Sequence, residues 1–221
     1  MKRYLASTEY INWQHADVLA QAHILAEGAL SLNDIMHKCF IFVRDEIKHS
    51  WDYQLKPITC KASDVLKHGT GYCYAKSHLL AALLRANKIP SGLCYQRLTI
   101  SDAPPFCLHG LNAVYLDEIG WYRIDARGNK GDVVAEFSPP VEKLAYSVVS
   151  SGEFDFPEIY SEPLPIVVDA LQQYETYQAL SDNLPDISAY WLKWNFFKSP
   201  IIGRVISGFE NDTLWVNIWF S

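Results

Sequence analysis

Residues 69–95 run GTGYCYAKSHLLAALLRANKIPSGLCY, and this stretch decides the fold. Gly69 and Gly71 allow a tight turn and close backbone approach. A run rich in Ala, Leu, Lys and Arg follows at once, and these are strong helix formers. Asn87 fits a C-cap and Pro90 stops the helix, so the sequence predicts a helix that begins near Cys73. Leu79, Leu80, Ala82, Leu83 and Leu84 make it apolar nearly all round, which places it at the centre of the molecule.

Upstream, the pattern is helical. Residues 10–27 carry Ile11, Val18, Leu19, Ala22 and Leu25 on one stripe. Ser31 and Asp34 form a capping-box pattern for a second helix that runs to about His49, with Ile35, Cys39, Phe42, Val43 and Ile47 on its apolar face. Ser63 is placed as the cap of a short turn over Asp64–His68, which Gly69 ends. Downstream, the period changes to that of strands: Gly92–Ile100, Leu108–Leu116 and Trp121–Ala126. Asp117–Gly120 is a turn sequence, so the last two form an antiparallel hairpin. Asp132–Phe137 is expected as a fourth strand, and Ser138-Pro139-Pro140 breaks the pattern. Helices followed by strands give an α+β fold, with a helical N-terminal half packed on an antiparallel sheet.

Residues 1–145 are assigned to this core and 146–221 to an acidic, aromatic-rich elaboration packed on it, together one domain. The elaboration opens with a Pro-rich connection (Pro157, Pro163, Pro165) and a helix over Val167–Leu180. The aromatic cluster Tyr190, Trp191, Trp194, Phe196 and Phe197 follows. In the terminal LWVNIWF, Leu214, Val216, Ile218 and Phe220 alternate, which fits a docked strand; an exposed aromatic patch for a partner is the alternative.

The 221 residues carry 19 Lys and Arg against 25 Asp and Glu, a net charge of −6. That length buries a core without disulfide or metal staples. The negative charge argues against nucleic acid as a partner, because phosphates need an excess of Lys and Arg. No Lys or Arg stands between Lys143 and Lys193, a gap that holds eight acids, Glu153 to Asp186. This segment is a solvated face, or else a rim that repels anionic ligands. The N-terminus has no apolar h-region and no segment is apolar for the roughly 18 residues a membrane span needs. Five cysteines, an odd number with no CxxC pair, then fit reduced thiols in a cytoplasmic setting. No metal-ligand spacing stands out, so neither a metal nor another cofactor is expected.

One cysteine stands apart. Cys73 follows the glycine turn at the head of the long helix, where unpaired N–H groups and the dipole favour thiolate and could face an oxyanion. A nucleophilic thiol needs a base and a group that orients the base. His109 opens one strand of the hairpin and Asp125 lies near the end of the other. Folding at Asp117–Gly120 sets Leu116 near Trp121 and brings His109 and Asp125 to neighbouring positions, with a small bulge to align them. Asp125 has Arg123, Arg127 and Lys130 as competing partners. His78, five residues along the helix, points away from Cys73, while His68 precedes the turn at the possible cleft edge.

The segments GTGYCYAKSHLLAALLRANKIPSGLCY, HGLNAVYL and GWYRIDARGNK resemble the transglutaminase-like superfamily of papain-fold cysteine enzymes. Arg85-Ala86, Ile89-Pro90, Gly120-Trp121 and Ile124-Asp125 match the family pattern as they stand. Leu111 and Ala126 depart from it, where the family commonly has an aromatic residue and a proline. The resemblance is strong over residues 60–130 and fades after 145. It implies a papain-like fold with catalytic Cys73, His109 and Asp125, acting on a peptide, protein or small amide through a thioester. Hydrolysis and amine transfer remain equally open. It also implies cleft-wall or oxyanion roles for Tyr72, Trp51 and Tyr53. Two other functions stay open: a non-catalytic binding domain, and acyl transfer from a thioester donor. Arylamine N-acetyltransferases do the latter, but their Arg-Gly-Gly-x-Cys approach is replaced here by Gly69-Thr70-Gly71-Tyr72-Cys73.

Overall fold

The glycine-turn helix forms as α5, Cys73–Ala86, in a computed structural model that describes residues 1–101 and 103–188. Every side chain from Cys73 to Arg85 is buried. Helices α1 (Ala16–Ala26), α2 (Leu32–Ile41), α3 (Ser50–Tyr53) and α4 (Ala62–His68) precede it in the chain. Strands β3 (Ser91–Thr99), β4 (Phe106–Leu116), β5 (Gly120–Ile124) and β6 (Phe154–Asp155) form an antiparallel sheet in the order β5-β4-β3-β6. This is the expected α+β arrangement. A small parallel pair, β1 (Lys48–His49) with β2 (Thr70–Gly71), sets His49 opposite Gly71 and so brings α3 beside the turn that leads into α5.

A central helix that carries Lys76, His78 and Arg85 must satisfy them internally. Each pairs with backbone carbonyls of other segments. Arg85 donates to Ser91 O at 2.8 and 3.0 Å, to Ala6 O at 3.0 Å and to Ser161 O at 2.8 Å, tying the chain's start to its later part. His78 Nδ1 lies 2.7 Å from Cys60 O, and burial pushes its pKa down to about 4, so the ring is neutral. Lys76 Nζ donates to Arg44 O and Ile47 O, and burial pushes its pKa down to about 7.

Several expectations are corrected, each for a local reason. The first helix starts at Ala16, not near residue 10, because Asn12 is committed to Ser63: Asn12 Nδ2 donates to Ser63 Oγ and Ser63 N to Asn12 Oδ1. That bond also removes Ser63 as a cap, and α4 begins two residues earlier, at Ala62. Ser31 does cap α2, its Oγ accepting from Asp34 N at 3.1 Å. The second helix stops short of His49, passing at Phe42–Glu46 into a π-helical turn near the carbonyls that Lys76 binds. Asp132–Phe137 is not a strand. Left-handed glycines at Gly128 and Gly131 turn the chain there, only isolated pairings form, and the fourth place in the sheet goes to β6.

The helix expected over Val167–Leu180 is two, α6 (Pro165–Gln173) and α7 (Tyr177–Ser181), with Thr176 Oγ1 capping the second. The chain divides into the units Met1–Asp186 and Ile187–Ser221. The aromatic cluster over 190–197 and the terminal strand over 214–220 lie outside the described residues. Among the described residues, no helix is long and apolar enough to cross a membrane.

Candidate active site

Cys73 stands at the head of α5, His109 lies within β4, and Asp125 follows the last residue of β5. The hairpin pairs Leu116 with Gly120 and Asn112 with Ile124, one residue away from the expected register. Continued by one step, that register sets Leu111 opposite Asp125. His109 is then the diagonal neighbour of Asp125 on the same face, within reach without a bulge. His109 Nε2 lies 2.8 Å from Asp125 Oδ2.

Asp125 is fully buried and also accepts from Arg127 N at 3.1 Å and Ala145 N at 3.0 Å. Burial alone would raise its pKa, but His109 and the two amides outweigh burial and hold the carboxyl low. Burial likewise opposes charge on His109. Asp125 and Cys73 together overcome it and raise the imidazole to about 10, which makes imidazolium the resting form at neutral pH.

Glycine at position 110 brings Cys73 to this pair. A Cβ there would stand 2.9 Å from Tyr74 Cδ1 and 3.1 Å from Tyr74 Cα. The bare backbone lets the first turn of α5 press onto β4, where Gly110 N donates to Cys73 Sγ at 3.5 Å. Gly110→Ala is therefore expected to destabilise the fold by about 1–3 kcal/mol and to slow alkylation of Cys73, read by urea denaturation and by iodoacetamide labelling. Unchanged stability and rate would mean that the helix head yields freely.

Residues 21–126, which contain Cys73, His109 and Asp125, match the transglutaminase-like superfamily. That similarity spans just under half of the chain. Among solved structures, 17 chains match. One is a candidate cysteine protease from Cytophaga hutchinsonii, with 18% identity, covering 56% of this chain and 40% of that one at a TM-score of 0.46. Another is the periplasmic domain of TgpA from Pseudomonas aeruginosa, with 20% identity, 57% and 46% coverage and a TM-score of 0.43. The matched part is thus less than half the length of either. No curated protein matches the sequence.

Cys73 and His109 line a cleft of about 260 Å³. Trp51 and Tyr72 line it. Tyr53 does not: it borders a separate polar depression of about 210 Å³, with Lys48 and Lys130 at 5.5 and 5.6 Å from its ring. In a one-turn helix such as α3, residues two apart point in different directions. His68 is exposed at the end of α4, away from the cleft lining.

Three features of the cleft were not legible in the sequence. Tyr146 sets its ring edge-on to His109, with centroids 5.0 Å apart. Arg127 forks onto Asp52 at 2.7 and 3.0 Å instead of pairing with Asp125, to which it gives only its backbone N–H. His49 is buried between Tyr72 and Asp52, and burial, with Arg127, Lys76 and His109, holds it neutral. The one signal was the charge density of HSWD and DARG, which does not reveal that these segments meet.

All five cysteines are free. Burial pushes Cys39, Cys60, Cys94 and Cys107 up to about 12. Cys107 lies in β4 and lines the cleft. Among the described residues, no group of three or more His, Cys, Asp or Glu is arranged to hold a metal ion.

Proposed function

We propose that this chain is a cysteine-nucleophile enzyme that acts on amide or peptide bonds through a thioester. The observation that carries this is the His109 imidazole, bonded on Nε2 to a buried Asp125 and raised in pKa by both Asp125 and Cys73. The match of residues 21–126 to the transglutaminase-like superfamily supports it.

In this reaction the Cys73 thiolate attacks the carbonyl carbon and forms the S–C bond. Charge moves to the carbonyl oxygen. No side chain caps α5, so its first amides are available to that oxygen, together with the dipole of the helix. The His109 imidazolium gives its proton to the leaving nitrogen as the C–N bond breaks. The neutral imidazole then takes a proton from water or an amine, which attacks the thioester and releases thiolate. Asp125 orients the ring throughout. Water gives hydrolysis and an amine gives amide exchange. Free thiols and a thiolate mechanism suit a reducing, cytoplasmic setting.

The test has two parts. Iodoacetamide with peptide mapping should modify Cys73 at least about tenfold faster than the other four cysteines, whose high pKa values leave almost no thiolate at neutral pH. Wild type should release amine from a panel of peptide amides, and Cys73→Ala should not. Turnover that survives in a folded Cys73→Ala protein sinks the proposal.

A further inference from the structure

β5 covers β4 only from Asn112 to Leu116, so among the described residues the edge from Phe106 to Gly110 has no strand on that side. Leu108 and Gly110 are two residues apart, so their N–H groups point to the same open edge. Gly110 N donates to Cys73 Sγ at 3.5 Å, and Leu108 N donates to Pro185 O at 2.7 Å. The thiol and a carbonyl from the later chain thus occupy successive places along one edge, about 7 Å apart.

The segment that supplies this carbonyl is tied down at both ends. Asp186 accepts a fork from Arg97 at 2.6 and 2.7 Å. Upstream, Tyr72 donates its hydroxyl to Tyr177 O at 2.6 Å. Between these ties, Ser181 and Leu184 line the cleft beside Cys73 and His109, and Cys73 is only 7% exposed.

Resting on the acyl-transfer reading, we propose that the substrate is an extended polypeptide bearing an acidic side chain, which pairs with the open edge of β4 in the place now held by Leu184-Pro185-Asp186. Strand addition to a free edge is a general mode of peptide recognition. A carbonyl seated at Leu108 N sets the carbonyl two residues along the same chain near Gly110 and Cys73, where the thiolate attacks. The acid is required because the Arg97 side chain is only 12% exposed, and a mostly buried guanidinium that loses Asp186 must be paired again. The chain's own segment is then an intramolecular competitor that shields the thiol until a substrate displaces it.

Fluorescence anisotropy of a labelled octapeptide with the sequence of residues 181–188, SDNLPDIS, tests this on the full chain. Asp186→Lys sets like charges together and dislodges the segment; Asp186→Asn is a milder version should the first not fold. Both should bind the peptide about tenfold more tightly than wild type does. A peptide with Asn for its second Asp should bind about tenfold more weakly. The parent peptide should also slow alkylation of Cys73 in the variants. Equal affinity in wild type and variants, or indifference to the peptide's acid, overturns the proposal. Binding is read without chemistry, so the two failures separate. Peptide binding beside an inert Cys73 removes the catalytic reading and keeps the docking edge, whereas a reactive Cys73 without peptide binding does the reverse.

Discussion

His109→Ala is expected to lower both turnover and the alkylation rate of Cys73 at pH 7 by about 10²–10⁴-fold, while leaving the other four thiols as slow as before. The cause is the loss of two functions at once. The imidazolium that stands beside the sulfur is removed, and with it the proton donor for the leaving nitrogen. The change also leaves the buried Asp125 carboxylate with only the Arg127 and Ala145 amides, so it costs stability as well, about 3 kcal/mol, and the rate is read on folded protein. Iodoacetamide labelling against pH, resolved by peptide, gives the rate, and urea denaturation gives the stability. Equal Cys73 rates in the two proteins would mean that the imidazole and the thiol do not act together.

Asp125→Ala carries the largest stability cost. The carboxylate is fully buried and serves His109, Arg127 N and Ala145 N. Its removal leaves an uncompensated ring and two buried amides without an acceptor, a loss of about 3–5 kcal/mol. Asp125→Asn keeps the shape and part of the bonding, so it should recover much of the stability but little of the rate. The pH dependence has a definite sign. Folded His109 holds its proton to about pH 10, whereas the unfolded chain releases it near the reference value of ~6.5. The folded state therefore binds the extra proton across that window. The stabilisation is fully present below ~6.5 and is lost as pH rises through the folded value, by up to about 1.4 kcal/mol per pH unit. Asp125→Ala removes the main charge that raises the imidazole, so the stability gap between wild type and variant should narrow from pH 6.5 towards pH 10. A gap that stays constant in urea midpoints over that range would show that His109 is neutral in the folded protein.

The sequence by itself determined the central helix and the hairpin, on or beside which Cys73, His109 and Asp125 stand. Each of these rests on local patterns that survive packing: Gly69 and Gly71 before a Leu- and Ala-rich run, Pro90 after it, and turn residues at Asp117–Gly120 between alternating strands. The order Cys73, His109, Asp125 was legible because each stands inside such a pattern.

Tertiary structure decided what distant segments do to one another. Asn12 paired with Ser63, and β6 took the fourth place in the sheet that the sequence assigns to Asp132–Phe137. The parallel pairing of Lys48–His49 with Thr70–Gly71 carried His49 and Trp51 to the cleft, and Arg127 turned from its near neighbour Asp125 to Asp52, 75 positions away. The place of Leu184-Pro185-Asp186 along β4 is of the same kind. Hydrogen bonds and ion pairs between residues far apart in the chain depend on which donors and acceptors packing leaves unspent, and helix or strand periodicity holds no record of that.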